Sequence, residues 1–257
     1  MKSKLWRRLL GALLTVVVAI IAFLGYLIAT HRRDYSDVPL PKISASTDPA
    51  VIAHGAYVAH AIAHCSACHG NPEFANKHQL SPDPNDLRGG YTLRAGPFGT
   101  FFPSNLTPHP ETGIAKLSDA ELARIIRHGV SRDGGYDPLM ALAVGPMSDE
   151  DLTAVVSYLR SLPPIENAVP ADEWGLLAKV LSRTFTPRMS LAPTYVARGG
   201  VSKERGEYLA NGPALCFSCH TPVDKTAGFA EVGPRFSGAL EPEPDSLDEN
   251  FEVQAPN

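Results

Sequence analysis

The sequence predicts an all-α protein, with an N-terminal transmembrane helix followed by two small helical domains in tandem, the second incomplete. Three observations carry this reading: a long uncharged apolar run near the start, two short cysteine–histidine motifs far apart, and a repeat of the residues that flank them. The chain has 257 residues, room for about two domains. With 23 Pro and 21 Gly, it favours compact helices joined by stiff loops over a regular sheet. A net charge of −4 offers no basic surplus for a nucleic-acid partner.

The first element rests on Lys2, Lys4, Arg7 and Arg8, which precede an uncharged, mostly apolar run from Leu9 to Thr30. At ~1.5 Å per residue that run covers about 33 Å as a helix, enough for the ~30 Å hydrocarbon core. The basic flank favours a cytoplasmic N-terminus, so residues 1–31 read as flank and anchor, with the rest across the membrane. The competing reading is a cleaved signal peptide, whose apolar core of ~7–15 residues ends in a small-x-small site. Ile28-Ala29-Thr30 is a poor version of such a site. Residues 32–47, polar and carrying Pro39 and Pro41, read as a tether that buries little.

The next elements follow from the four cysteines. Cys65-Ser66-Ala67-Cys68-His69 and Cys216-Phe217-Ser218-Cys219-His220 are both C-x-x-C-H, the attachment pattern for c-type haem, and use every cysteine in the chain. Thiols three positions apart lie on one side of a helical turn, where both reach the vinyl groups of one porphyrin. The adjacent histidine then turns its imidazole to the iron. A zinc site would place its two C-x-x-C pairs about 15–20 residues apart, and a thioredoxin-like site would need a βαβ context. Neither condition holds. The expectation is two c-type haems, attached through Cys65, Cys68, Cys216 and Cys219, with His69 and His220 on the irons.

The flanks repeat at the same offset as the motifs. Gly55-Ala56-Tyr57 precedes the first and Gly206-Glu207-Tyr208 the second, both displaced by 151 residues. Asp48-Pro49 supplies an N-cap and first turn for one leading helix, and Ser202 a cap for the other. Leu87 to Pro110 reads as a Gly/Pro-rich loop. Ser118 to Glu121 reads as a capping box opening a helix that Gly129 ends, and Ser148 to Asp151 as a second box opening a helix stopped by Pro163-Pro164. The resulting units are a first domain over 48–165, a connection over 166–201 and a second domain over 202–257; Trp174 to Leu181 in the connection read as a short amphipathic helix packed on a haem domain, with a membrane-surface role as the minor alternative.

These residues carry a resemblance. Gly55-x-Tyr57, Cys65 to His69, Pro103-Ser104-Asn105-Leu106-Thr107-Pro108, Glu111-Thr112-Gly113-Ile114, Ser118 to Val130 and Ser148 to Pro164 resemble the mono- and dihaem cytochrome c family. That family includes cytochrome subunits of membrane-bound alcohol, gluconate and aldehyde dehydrogenases. Arg205 to Leu209 and Cys216 to Thr221 match it again. The resemblance implies tandem cytochrome c domains on the periplasmic side of a bacterial inner membrane. They would relay electrons from a dehydrogenase or quinol to a terminal acceptor, with a redox protein as partner. This chain departs from those subunits in showing two motifs where three are usual, and an N-terminal rather than C-terminal membrane contact.

The resemblance also implies an axial methionine in the loop before the Ser148 helix. Met140 fits that place, with Ala141 where the family has proline; Met147, next to the N-cap, reads as packing, and Met189 as linker surface. His31, His54, His60, His64, His78, His109 and His128 read as exposed or structural, with bis-His ligation of the first haem as the minor alternative. By analogy the second domain stops partway, because Asn257 falls where Asn105 falls in the first repeat. The alternative is a natural end with the second iron held by His or left open. An open iron would suit a dihaem enzyme such as a peroxidase or sulfur-compound oxidase. No flavin or nucleotide fingerprint accompanies the motifs, so an electron carrier without substrate chemistry is the leading expectation.

Overall fold

The computed structural model describes residues 2–70, 87–184, 200–224, 230–244 and 252–257. His78 and Met189 lie outside them. Helix α1 (Lys2–Ala29) runs without interruption, and its segment Trp6–Ala29 is long and apolar enough to cross a membrane. Side chains from Trp6 to Tyr26 all stand exposed, while Leu27 is buried.

The tether is docked rather than free. Val38 and Ile43 are buried, Ala45 N–H donates to Asp119 Oδ2 at 2.8 Å, and Ser46 N–H donates to Ser157 Oγ at 2.8 Å. Arg124, itself buried, donates to the carbonyls of Ser36 and Val38. A proline-bearing strand of chain with its polar backbone satisfied by the domain behaves as part of that domain.

Helix α2 (Pro49–Tyr57) begins as expected: the Asp48 side chain accepts from Ala50 N–H at 2.8 Å and Pro49 occupies the first turn. It then widens into a π-helical turn, Val58–Ile62, before the short helix α3 (Cys65–His69). The partner of α2 is α6 (Asp149–Ser161). Gly55 sets their approach, since a Cβ there would lie 1.9 Å from the Ala154 carbonyl oxygen. Around this crossing sit Val58, Ala59, Leu87, Leu122, Met147, Leu152, Val155, Val156 and Leu159, the densest part of the core.

Helix α4 (Asp119–His128) has the full capping box, with Ser118 and Glu121 bonded to each other's N–H groups, and ends at Gly129 with φ 64°. Helix α5 (Pro138–Val144) follows, capped by Asp137. The second expected box differs. Ser148 Oγ accepts from Asp151 N–H, but the Asp151 carboxylate turns away to His54 and Tyr208. The Ser148 N–H goes instead to the Tyr208 hydroxyl at 2.9 Å, so a residue from the second repeat supplies the returning bond.

Short strands qualify the all-α expectation. In the loop after residue 87, β1 (Leu93–Arg94) pairs antiparallel with β2 (Gly99–Phe101), which pairs with β3 (Glu173–Trp174) from the connection. Trp174 therefore lies in a strand, and the amphipathic helix of the connection is α7 (Leu176–Thr184), packed against α1 and the turn Gly96–Phe98. The second repeat comprises α8 (Lys203–Asn211), α9 (Cys216–His220) and two hairpins, β4 (Val223–Asp224) with β5 (Ala230–Glu231) and β6 (Glu243–Pro244) with β7 (Glu252–Val253). Ser202 caps α8 through Arg205 N–H. Leu209 and Ala214 rest against the same core cluster, joining the repeats beside the buried Tyr208.

Candidate haem centres

Each motif forms one isolated helical turn. The residue before its first cysteine is left-handed in both: His64 has φ 49° and Leu215 φ 54°. A non-glycine residue there costs about 1–2 kcal/mol, so the conformation must be held by its surroundings. It reverses the chain sharply, separating the attachment turn from the leading helix. Ala67 N–H bonds to the His64 carbonyl and Ser218 N–H to that of Leu215, both at 2.9 Å.

The histidines repeat the arrangement. His69 Nδ1 lies 2.7 Å from the Ser104 carbonyl oxygen, and His220 Nδ1 lies 2.7 Å from that of Pro256. Facing a carbonyl, Nδ1 must carry the proton, which leaves the Nε2 lone pair free for a metal. The backbone follows suit. Gly89 N–H bonds to the His69 carbonyl and Gly238 N–H to that of His220, while Gly90 bonds to Pro103 and Ala239 to Ala255. Gly89 and Gly238 both have positive φ, and a Cβ at Gly89 would come within 2.5 Å of the Ser104 backbone. The repeat thus recurs at the far ends of both loops, at carbonyls 35 residues beyond His69 and 36 beyond His220.

Asn105 secures the first loop. Nearly buried, it donates from Nδ2 to the Ile165 carbonyl at 2.8 Å and accepts from Thr107 N–H at 2.9 Å. This holds Ser104, the carbonyl that orients His69, against the end of the domain.

His69 is partly exposed and Asp137 exposed. Desolvation lowers the His69 imidazole pKa against the pull of the Ser104 carbonyl and Asp137, and so favours the neutral ring. Burial pushes the Cys65 thiol up to about 12 and raises that of Cys68. For Asp137, desolvation raises the carboxyl pKa, opposed by the Met140 and Leu139 N–H groups and by His69. Its charge also raises the pKa of both Cys68 and His69. All four cysteines are free.

A c-type haem fits these residues: unpaired thiols three apart on one turn, and a neutral imidazole whose Nε2 is left free by the bond at Nδ1. No group of three or more His, Cys, Asp or Glu side chains among the described residues forms a competing metal site.

Met140 lies in α5, half-buried, and borders the same apolar core as Cys65. Met147 is 1% exposed, inside that core, with its carbonyl taken by Arg127. His54 pairs with Asp151 at 2.6 Å, His60 with the Tyr158 hydroxyl at 2.9 Å, and His128 is buried. Sequence reasoning passed over Asp137, Ser104 and Pro256. Asp137-Pro138 is an N-cap signature that could have been read; the two carbonyls carry no side-chain signal.

No family model matches the chain. Among curated proteins it is 28% identical over 209 residues to an "Alcohol dehydrogenase (quinone), cytochrome c subunit" of Gluconacetobacter polyoxogenes, covering 74% of this chain and 40% of the relative. It is 29% identical over 170 residues to a "Diheme cytochrome c-type" of Cereibacter sphaeroides, covering 62% and 53%. To a "Gluconate 2-dehydrogenase cytochrome c subunit" of Pantoea cypripedii it is 30% identical over 185 residues, covering 67% and 38%. The chain therefore spans about 40–50% of the length of these relatives. It is similar over most of its own length to the cytochrome c subunits of alcohol and gluconate dehydrogenases and to a dihaem c-type cytochrome.

Proposed function

We propose that this chain is a membrane-anchored dihaem c-type cytochrome that passes electrons from a dehydrogenase or quinol donor to a terminal acceptor, its haem units on the periplasmic side of a bacterial inner membrane. The observation that supports it most is the doubled proximal arrangement, a left-handed residue, a C-x-x-C-H turn and an Nδ1–carbonyl bond, found at both His69 and His220. The relatives named for alcohol and gluconate dehydrogenases support electron transfer and a dehydrogenase partner.

When bound, haem supplies a one-electron Fe(III)/Fe(II) couple. The chain's own residues do the rest. Cys65, Cys68, Cys216 and Cys219 would anchor the two groups as thioethers. The carbonyls of Ser104 and Pro256 hold the His69 and His220 imidazoles in one tautomer and orientation. Met140 would close the distal side of the first iron, where a thioether favours the reduced state. Helix α1 would keep the units at the membrane.

Haem content after acid-acetone extraction tests this. Two covalent haems per chain are expected, falling to one in Cys65→Ala/Cys68→Ala and one in Cys216→Ala/Cys219→Ala. A colourless product from a host competent in cytochrome c maturation would end the proposal. Met140→Ala should make the first haem bind carbon monoxide or lower its potential, whereas Met147→Ala should mainly destabilise the fold. The reverse result would move the ligand to Met147.

A further inference from the structure

The connection between the repeats returns to the membrane helix. Beyond α1, the His31 ring packs on Trp174 with centroids 5.7 Å apart. The Ser182 hydroxyl donates to the His31 carbonyl at 3.1 Å, and α7 packs against α1 near the buried Leu27. Trp174 stands just before α7 and Ser182 near its end, so the helix runs past the exit of α1 instead of leading away from it. Ala178, in the middle of α7, is buried.

The other face of α7 is left bare. Leu176 is 65% and Leu177 38% exposed, and Phe98, whose carbonyl accepts from Gly175 N–H at 2.8 Å, is 40% exposed. This apolar group lies within a ring's reach of the end of a helix whose own apolar side chains are exposed for lipid. The 24 residues Trp6–Ala29 measure about 36 Å along the axis, against ~30 Å of hydrocarbon. The surplus of about one turn puts Leu27 and the packed α7 at headgroup depth. Short amphipathic helices with apolar residues on one side lie in that plane. A tryptophan belongs at the same depth.

We propose that α7, with Phe98 and Trp174, is an interfacial platform that rests Leu176 and Leu177 in the bilayer surface and sets the first haem unit at a fixed height and tilt over the membrane. This rests on the reading of α1 as a membrane anchor. A single spanning helix leaves a domain free to swivel about its exit, and a second contact a few residues away removes that freedom. The occupant of the patch is lipid, because the helix that carries it packs on the end of α1, whose own side chains from Trp6 to Tyr26 are exposed.

Spin labels on the haem-loaded full chain test it, since thioether attachment consumes the native thiols and a new cysteine is then unique. Leu176→Cys and Leu177→Cys, with Leu142→Cys and Val201→Cys as exposed apolar controls, are labelled and reconstituted in phosphatidylcholine–phosphatidylglycerol vesicles. The floated protein is then read by power-saturation EPR with oxygen and with a water-soluble nickel chelate. At 176 and 177 the ratio of oxygen to nickel accessibility should be several-fold higher than at 142 and 201. Nickel access at 176 equal to that at 201 would mean a water-facing patch and overturn the proposal. Shielding from both relaxants would mean a protein cover and overturn it as well. If the protein failed to float with the vesicles, the anchor reading itself would fall, an outcome visible before any label is read.

Discussion

The helix leading into the first attachment turn is buried by its own domain, whereas the helix leading into the second is buried by its neighbour. Gly55 lies so close to α6 that a Cβ would meet the Ala154 carbonyl at 1.9 Å, while nothing lies within 4 Å of the place a Cβ would take at Gly206. The tyrosines reverse the pattern. Tyr57 is 56% exposed, and Tyr208 is 7% exposed with its hydroxyl on Asp151 and on the Ser148 amide. One Gly-x-Tyr sequence serves two packing tasks. In the first repeat the glycine is used for close helix approach, and in the second the tyrosine is used to join the repeats. A repeated motif therefore fixes the chain path into the haem turn without fixing what the helix is pressed against.

The largest effect should come from testing the glycines together. Gly55→Ala forces a methyl into backbone and should cost about 3 kcal/mol or more, an overpacking penalty without a flexible neighbour to yield. Gly206→Ala, in open space inside a helix, should stabilise by about 0.5–1 kcal/mol. Denaturant unfolding followed by circular dichroism measures both. Effects of the same sign at the two sites would break the comparison.

Next come the tyrosines. Tyr208→Phe leaves a buried carboxylate oxygen and a buried amide each short of a partner, costing about 1–3 kcal/mol. Hydrogen exchange at the Ser148 amide should quicken in that variant. Tyr57→Phe should change stability by less than about 0.5 kcal/mol. If Ser148 stayed as protected as in the parent, the joint between the repeats would not depend on this hydroxyl.

The smallest effect is one of pH, and it belongs to the first repeat. Burial pulls the Asp119 carboxyl pKa up, but the Ala45 N–H and the Arg160 guanidinium outweigh it, so the folded-state pKa lies below the ordinary 3.8. A depressed carboxylate contributes stability that is complete above the unfolded-state pKa and lost as pH falls through the folded one. The first unit should therefore weaken on acidification below about pH 4. Asp119→Asn should flatten that dependence and leave the unfolding of the second repeat unchanged. An equally steep acid slope in Asp119→Asn would assign the effect to other carboxylates.

Signals that act within three or four residues were legible in the sequence. Asp48, Ser118 with Glu121, and Ser202 cap helices where their spacing to the first turn says they should. The attachment turns were legible too, since their cysteine spacing is itself helical. What escaped depends on distant chain. The second capping box looks complete in sequence, yet Asp151 is drawn off by His54 and Tyr208, which arrive from 97 and 57 residues away. Strands β1 to β3 are two or three residues long, too short for an alternating pattern, and exist because Gly99 meets Trp174. The carbonyls behind His69 and His220 are backbone atoms, and only folding decides which residue offers one. The tether, polar by composition, is docked because Arg124 reaches its carbonyls.

The bond between Ser148 and Tyr208 also sets a clock. The two partners are 60 residues apart in the chain. At a synthesis rate of ~5–20 residues per second, the second emerges about 3–12 s after the first. Once Ser161 has been made, the N-terminal unit contains its C-x-x-C-H turn and all its helices, yet its closing helix lacks one hydrogen bond at its start until Tyr208 follows. The newborn first unit is thus held slightly ajar until its successor arrives, and shutting it is an act of the second repeat.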